Sequence, residues 1–357
     1  MHPCPGPSWK DPFGSHWLGL WLADRADRKR GNRARIAARR GWLNPMGEQG
    51  KVVWILAGSS RESVHQAVEL LRAIRARRLD LRLVLTFEEE YPDLLAPLDD
   101  CDKTGWGFAP ADHPRSLRRV LQRLDPYGVL VVDACPRPHL RHWLDRQARV
   151  LTTRPHRANF AHQPVGNGAD LLTLLVEAQV DPNFRSLANQ GRERHLWWLH
   201  DADAAAATAL AGRWLERHPE DIVFISGSAP QAGVLRISHW DRRPFADGSI
   251  VWIDEDKWLP AIAVSVTGAH FAQPSRKPLW QALAGGTAIH IDPAAEALPA
   301  TLEDSAARGD LFTAWQNWRT QPITARVAGD SARRAFWQER RLAQADLQAW
   351  VERVFEW

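Results

Sequence analysis

The residues with chemical potential in this sequence are acids placed just after apolar runs, and a basic tripeptide placed just before a helix. Glu62 stands in Ser59-Ser60-Arg61-Glu62, shortly after the run Val52–Ala57 (VVWILA). A carboxylate in the first turn of a helix is kept ionised by the helix dipole, the state that a proton acceptor needs. The same tetrapeptide reads as a capping box with Ser59 as the cap, and the two roles are compatible. Asp133 follows the run Gly128–Val132 (GVLVV). There it is placed to orient a hydroxyl or contact cations, or simply to cap the next turn. Ser275-Arg276-Lys277 directly precede Pro278, and a helix N-terminus beside basic groups suits a nucleotide phosphate. Gly268 reads as a point of close backbone approach after a strand. His200-Asp201-Ala202-Asp203 offers a metal or acid-pair reading, but a turn and helix cap explains it better. No cluster of His, Asp and Glu has metal-ligand spacing, so no metal and no cofactor is expected.

The elements that must position these residues alternate. Val52–Ala57, Leu81–Phe87, Gly128–Val132 and Arg149–Thr153 read as buried strands, with helices over Glu62–Arg78, Pro114–Leu124 and around Leu140–Gln147. Residues 155–168 are loop-like, a helix is expected over Asp170–Gln179, and the polar stretch 181–195 reads as a linker. A second series follows. Leu196–Leu199, Asp221–Ser226, Val234–Ile237, Ile250–Ile253, Ile262–Val266 and Thr287–Ile291 are strand candidates. Helices are expected over Ala204–Arg217, from Pro278, and over Ser331–Phe355. Strands joined through helices give parallel sheets. The expected class is α/β and GT-B-like, with two Rossmann-like domains facing a cleft and a long C-terminal helix. The bounds read as a basic N-terminal segment 1–45, an acceptor-side domain 46–185, a donor-side domain 190–330 and the helix 331–357.

Composition narrows the function classes. The chain has 357 residues, 45% of them hydrophobic and 25% charged, and a net charge of +4. These are ordinary globular values and exclude a disordered or collagen-like chain. No apolar run approaches the length of a membrane span. Three cysteines, Cys4, Cys101 and Cys135, make no even framework, so a reducing compartment is expected. The segment after His16 is different in kind. Trp17-Leu18-Gly19-Leu20-Trp21-Leu22 precedes eight basic residues and two acidic ones between Asp24 and Arg40. It reads either as a membrane-surface contact, with Trp and Leu in the interface and Arg on anionic lipid, or as a solvated basic helix packed by its Trp residues. Nucleic-acid binding is not expected, and no GxGxxG follows a strand to support a dinucleotide-dependent oxidoreductase.

Several stretches resemble the 3-deoxy-D-manno-octulosonic acid (Kdo) transferases of lipopolysaccharide synthesis. Arg35–Pro45 (RIAARRGWLNP) is similar to that family's "RxRERFG" stretch, and Val53–Ser63 (VWILAGSSRES) to "VWIHAVSVGE". Pro110–Pro126 resembles "DLPxxVRRFLxxxxP", Val129–Leu140 resembles "LLVLVETELWPNL", and Gly166-Asn167 a "GN" pair. Gly268–Ala282 and Ala284–Ile289 resemble the "GGS…HNPLEPA" and "LGKPV" blocks. The resemblance implies an inverting glycosyltransferase of lipid A biosynthesis that moves Kdo from CMP-Kdo to a lipid-linked acceptor. It puts Glu62 on the catalytic glutamate, matches Arg154 to the Arg of a "NARLS" segment, and implies a peripheral enzyme on the cytoplasmic face of the bacterial inner membrane, or a cytoplasmic one. The donor side departs from the pattern. Ile225–Gln231 stands where "PRHPER" is expected, Trp280 replaces the Glu of "NPLEP", and Cys135 and Arg137 replace the second Glu and the Trp of "ETELWPN". A non-catalytic paralogue that keeps the fold for binding or scaffolding is therefore the alternative.

Overall fold

In the computed structural model, residues 9–47, 49–153, 165–177, 184, 194–228, 234–240, 243–273, 276–295 and 305–357 are described. The chain divides into two compact units, Met1–Ala169 with Ala343–Trp357, and Asp170–Leu342. The first unit thus includes the end of the last helix. The linker expected at 181–195 lies almost wholly outside the described residues.

The first unit holds five strands, β1 (Val52–Ala57), β2 (Arg82–Phe87), β3 (Thr104–Phe108), β4 (Pro126–Val132) and β5 (Val150–Thr152), all parallel in the order β3-β2-β1-β4-β5. Every residue of β1 is buried, as a strand covered on both faces requires. The helices α1 (Trp17–Lys29), α2 (Arg33–Arg39), α3 (Arg61–Arg75), α4 (Pro92–Leu95), α5 (Pro114–Leu124) and α6 (Pro138–Leu144) complete it. The apolar stripe of α3, with Val64, Ala67, Val68, Leu71 and Ile74, is fully buried against the sheet. Because β1 leads to β2 on one side while β4 lies on the other, the order of the sheet reverses between β1 and β4. The crevice outside the C-terminal ends of strands at such a point is where α/β sheets bind ligands.

The second unit holds seven parallel strands in the order β12-β11-β10-β6-β7-β9-β8. They are β6 (Leu196–His200), β7 (Ile222–Ser226), β8 (Leu235–Arg236), β9 (Ile250–Trp252), β10 (Gly268–Phe271), β11 (Ala288–Ile291) and β12 (Ala306–Ala307). Helices α7 (Ala204–Leu215), α8 (Leu259–Ser265), α9 (Arg276–Gly285) and α10 (Leu311–Thr320) pack on it, and α11 (Pro322–Phe355) closes the chain. Here the reversal lies between β6 and β10. Both units are Rossmann-like, which is the two-domain class expected.

About half of the tryptophans are core residues. Trp54, Trp197, Trp198, Trp214, Trp252, Trp280, Trp315 and Trp350 are all fully buried. The carboxylate of Asp221 is fully buried among them. Its Oδ2 accepts from the Trp197 and Trp214 indoles at 2.9 and 3.1 Å and from Arg319 Nε at 3.3 Å, while its Oδ1 accepts the His195 amide at 3.1 Å. A buried carboxylate needs such partners to offset its desolvation.

Several expectations are corrected. Ile262–Val266 is not a strand: the segment is the helix α8, started by Pro260 in its first turn. Gly268 therefore opens β10 rather than following a strand, and a Cβ there would lie 2.5 Å from the Trp318 ring, so its glycine serves packing at the N-terminal edge of the sheet. The helix expected over Asp170–Gln179 is a short 3-10 turn, Leu171–Leu175. The last helix begins at Pro322 rather than Ser331. Cys135 is disulfide-bonded and Cys101 is free, whereas the odd number of cysteines pointed to a reducing compartment.

Candidate functional site

The reversal point of the first sheet is built by a single serine. Ser63, fully buried in the first turn of α3, accepts the Gly58 amide at 2.7 Å and donates to the Val132 carbonyl at 2.7 Å. It thus ties the turn after β1 to the end of β4. Glu62 precedes Ser63 in the same turn and is half-buried. The capping expectation shifts by one residue: Ser60 is the cap, accepting the Ser63 amide at 3.1 Å, so Ser59 and Glu62 do not form a capping box. With no capping duty, the Glu62 carboxylate is left to the surface of the edge. Around it, Tyr91 donates its hydroxyl to the Ser59 carbonyl at 2.8 Å, and Arg61 pairs with Asp93. The Tyr91 hydroxyl is raised above its ordinary pKa, first by burial and then by the nearby Glu89 and Glu62 charges.

Asp133 takes up a left-handed backbone at φ 47°, and its amide donates to the Thr153 hydroxyl at 2.9 Å. A non-glycine residue held there is a constrained position rather than an ordinary strand end. Beside it, a small cavity of about 40 Å³ is lined by Ala57, Glu88, Asp112, Ala134, Cys135 and Arg137, among others. That volume admits roughly two or three waters, not a sugar ring. Glu88, which follows β2, was not singled out in the sequence. Burial pushes its carboxyl above the ordinary range, with the Arg137 guanidinium 3.7 Å away opposing. Its signal was the same as for Asp133, an acid directly after a buried strand. Arg137 also pairs with Asp11. Asp112 instead caps α6, accepting the His139 and Leu140 amides at 3.0 and 2.7 Å. A larger groove of about 680 Å³ lies where β5 begins, lined by Arg149, Val150, Glu352 and Arg353 among others, at the opposite edge of the sheet from Glu62 and Asp133. Arg154 lies outside the described residues. Gly166-Asn167 is held by α11, since Asp346 Oδ1 accepts the Asn167 amide at 2.7 Å.

In the second unit the reversal point is formed by the ends of β6 and β10. His200 ends β6, buried, with Nδ1 2.8 Å from Ser226 Oγ. That hydroxyl also accepts from the Trp198 indole at 2.8 Å, so it joins the two rings. Burial lowers the His200 pKa to about 4, so the ring is neutral. Gly227 follows at φ 97°, where a Cβ would meet the Asp201 carbonyl at 2.8 Å and His200 Cε1 at 2.9 Å, a position only glycine fills. Asp203 caps α7 by accepting the Ala205 amide at 2.9 Å, and Asp201 accepts the Asp203 amide at 2.8 Å, which is the turn-and-cap reading of that stretch.

Arg276 and Lys277 open α9, just after the end of β10. Lys277 Nζ is 2.7 Å from Asp256 Oδ2, so it comes to this edge already paired. Ser275 lies outside the described residues. Trp280, the departure from the Kdo-transferase pattern, is fully buried and donates its indole to Asp170 Oδ2 at 2.9 Å. It is a core residue of the second unit. Among the described residues no group of three or more His, Cys, Asp or Glu is placed to hold a metal ion, and no helix is long and apolar enough to cross a membrane.

No protein-family model matches the sequence, and no curated protein matches it. Solved structures do resemble the fold. HepE from Anabaena, crystallised in complex with UDP, matches with a TM-score of 0.52 at 8% identity, over 84% of this chain and 98% of that one. A glycosyltransferase from Rickettsia africae matches with a TM-score of 0.49 at 8% identity, over 87% and 98%. The glycosyltransferase SnogD from Streptomyces nogalater matches with 0.48 at 10% identity, over 84% and 98%. At the level of fold, the two Rossmann-like parallel-sheet units and long C-terminal helix expected under the GT-B name are what this chain has.

Proposed function

We propose that the chain is a glycosyltransferase that moves a sugar from a nucleotide donor to a hydroxyl acceptor, with Glu62 as the base. The observation that carries this reading is the reversal point of the first sheet, where Ser63 fixes the turn bearing Glu62 to the end of β4 and Asp133 stands in a constrained conformation. In the reaction, Glu62 takes the acceptor proton while the acceptor oxygen bonds to the anomeric carbon. The bond from that carbon to the donor phosphate breaks, and the nucleotide leaves with the electron pair. An ionised carboxylate in this role contributes about 10²–10⁴-fold. Asp133 orients the acceptor, and Arg154 is assigned to its recognition by resemblance alone.

The donor phosphates are assigned to the start of α9. Its amides and the charges of Arg276 and Lys277 favour an anion. A phosphate would draw Lys277 from the largely exposed Asp256. Ser275 joins them by sequence position, whereas Gly268, at the other end of its strand, does not. HepE was crystallised with UDP, which favours a nucleoside diphosphate donor over CMP. The narrowest form of the proposal is transfer of Kdo from CMP-Kdo to a lipid A precursor at the inner membrane. It rests on the first-domain resemblance alone.

Calorimetric titration with UDP, thymidine diphosphate and CMP tests the donor assignment. A diphosphate is expected to bind more tightly than CMP, and Lys277→Met to weaken it by about 10-fold or more. If no nucleotide binds, the non-catalytic scaffold reading replaces this one.

A further inference from the structure

The helix α1 buries the opposite face from the one its sequence offers. Asp24 and Asp27 point inward and are 7% and 5% exposed, while Trp17 and Trp21 are 72% and 51% exposed. Leu18 and Leu22 are exposed beside them. A helix docked on its own domain by hydrophobic burial has the reverse pattern. This one is docked by charge. Arg39, itself only 2% exposed, donates to Asp24 at 2.6 Å and to Asp27, and Arg40 Nε donates to Asp24 at 2.9 Å. Gly19 allows the close approach of the preceding chain, because a Cβ there would lie 1.9 Å from the Trp9 carbonyl. The buried face of α1 is thus carried by its acids and not by Trp17 and Trp21, which lie mainly on the exposed side.

The exposed face is ordered along the helix. At 100° per residue, Trp17, Leu18, Trp21 and Leu22 share one side with Arg25, Arg28 and Lys29. The first half of that side is apolar and the second half basic. Both acids of the helix are consumed by Arg39 and Arg40, and among the described residues Arg25, Arg28 and Lys29 have no acidic partner. Arg25 lies over the Trp21 ring at 5.5 Å, which keeps its charge at the border of the two halves.

We propose that this face of α1 docks on an anionic phospholipid surface, with Trp17 and Trp21 in the headgroup–acyl boundary and Arg25, Arg28 and Lys29 on lipid phosphates. Tryptophan favours that boundary, and stable peripheral binding takes an apolar and an electrostatic signal together. A protein partner would be met by aromatic anchors ringed by mixed polar groups; a side of one charge sign beside an apolar tip fits a lipid surface better. The inference goes beyond sugar transfer and does not rest on it.

Co-sedimentation of the full chain with large vesicles tests it, using phosphatidylcholine alone and with about one third phosphatidylglycerol. The chain is expected to pellet with the anionic vesicles and to remain in solution with the neutral ones. Trp17→Ser with Trp21→Ser, and separately Arg25→Glu with Arg28→Glu, are each expected to lower the bound fraction by about 10-fold or more. The melting midpoint should be unchanged, since all four side chains are exposed. Glu62→Gln should bind vesicles like the unsubstituted chain, which separates failure of this inference from failure of the catalytic one. Three results would overturn it. One is no binding to anionic vesicles; another is undiminished binding by both double variants. The third is a dimer in sedimentation velocity that the tryptophan variant converts to monomer, which would make a second copy the occupant.

Discussion

The hydroxyl of Ser63 donates to the carbonyl of Val132 at 2.7 Å while accepting the amide of Gly58 at the same distance. One buried oxygen thereby holds the turn after β1 against the end of β4. Glu62, its neighbour in sequence, inherits its position from that bond. The proposed base and the strained Asp133 are therefore parts of one rigid edge rather than features of two independent loops.

Replacing Ser63 tests that rigidity. Ser63→Ala leaves a buried amide and a buried carbonyl without their shared partner, a loss of about 1–3 kcal/mol. Chemical denaturation should show a lower midpoint with an unchanged slope. On the catalytic reading, transfer should also fall while nucleotide affinity at the second unit is retained. A stability within error of the unsubstituted protein would show that the hydroxyl contributes nothing.

The tryptophan core of the second unit depends on Asp221. Asp221→Ala strands two buried indole N–H groups and removes one of the two acidic partners of Arg319, and is expected to cost about 3 kcal/mol. Asp221→Asn keeps one acceptor oxygen and should cost less. Equal stability of all three proteins, measured by denaturant titration, would mean that the network carries no net stability.

Buried imidazoles set a pH dependence. His270 and His290 meet through their Nδ1 atoms at 3.0 Å on neighbouring strands. His290 Nε2 lies 3.2 Å from the Gly309 carbonyl and donates to it, so His270 supplies the shared proton. Burial lowers His270 and His200 to about 4, and lowers His290 as well. In the unfolded chain these rings titrate near the ordinary value of about 6.5. The unfolded state therefore binds more protons between the two values. The stabilisation is complete above about 6.5, is lost as pH falls toward about 4, and flattens below that. Melting midpoints should drop between pH 7 and pH 5, and less steeply in His270→Gln. A midpoint constant across that range would contradict the neutral burial of these rings.

Much of the fold was legible because its strands are short continuous apolar runs, a pattern that double-sided burial demands. Pro114–Leu124 has the bounds expected for it, with Pro at its start and a strong apolar face. What failed did so for physical reasons. Thr104–Phe108 (TGWGF) carries two glycines and was not among the expected strands, yet it pairs along β2 at the sheet edge. Leu259–Ser265 is apolar at every spacing, so periodicity did not separate helix from strand, and Pro260 was the signal passed over. The helix α11 was expected only from Ser331, whereas it runs through Gly329, whose missing side chain lets the Gly286 carbonyl approach to 2.0 Å of where a Cβ would be. Of the candidate site, the sequence places Glu62 in the first turn of a helix and Asp133 at a strand end, and the structure has them there. Glu88 also directly follows a strand but stands in a run of three acids, and it was not singled out. The pairing of Lys277 with Asp256 and the inward turn of Asp24 and Asp27 join residues distant in sequence or reverse an ordinary helical pattern, and no local rule yields them.

The most direct test of the central claim is the turnover of Glu62→Gln with a nucleoside diphosphate sugar donor that the unsubstituted chain is found to use. Sugar transfer should fall by about 10²–10⁴-fold while the melting midpoint and nucleotide affinity stay unchanged. Turnover retained at the level of the unsubstituted protein would contradict it.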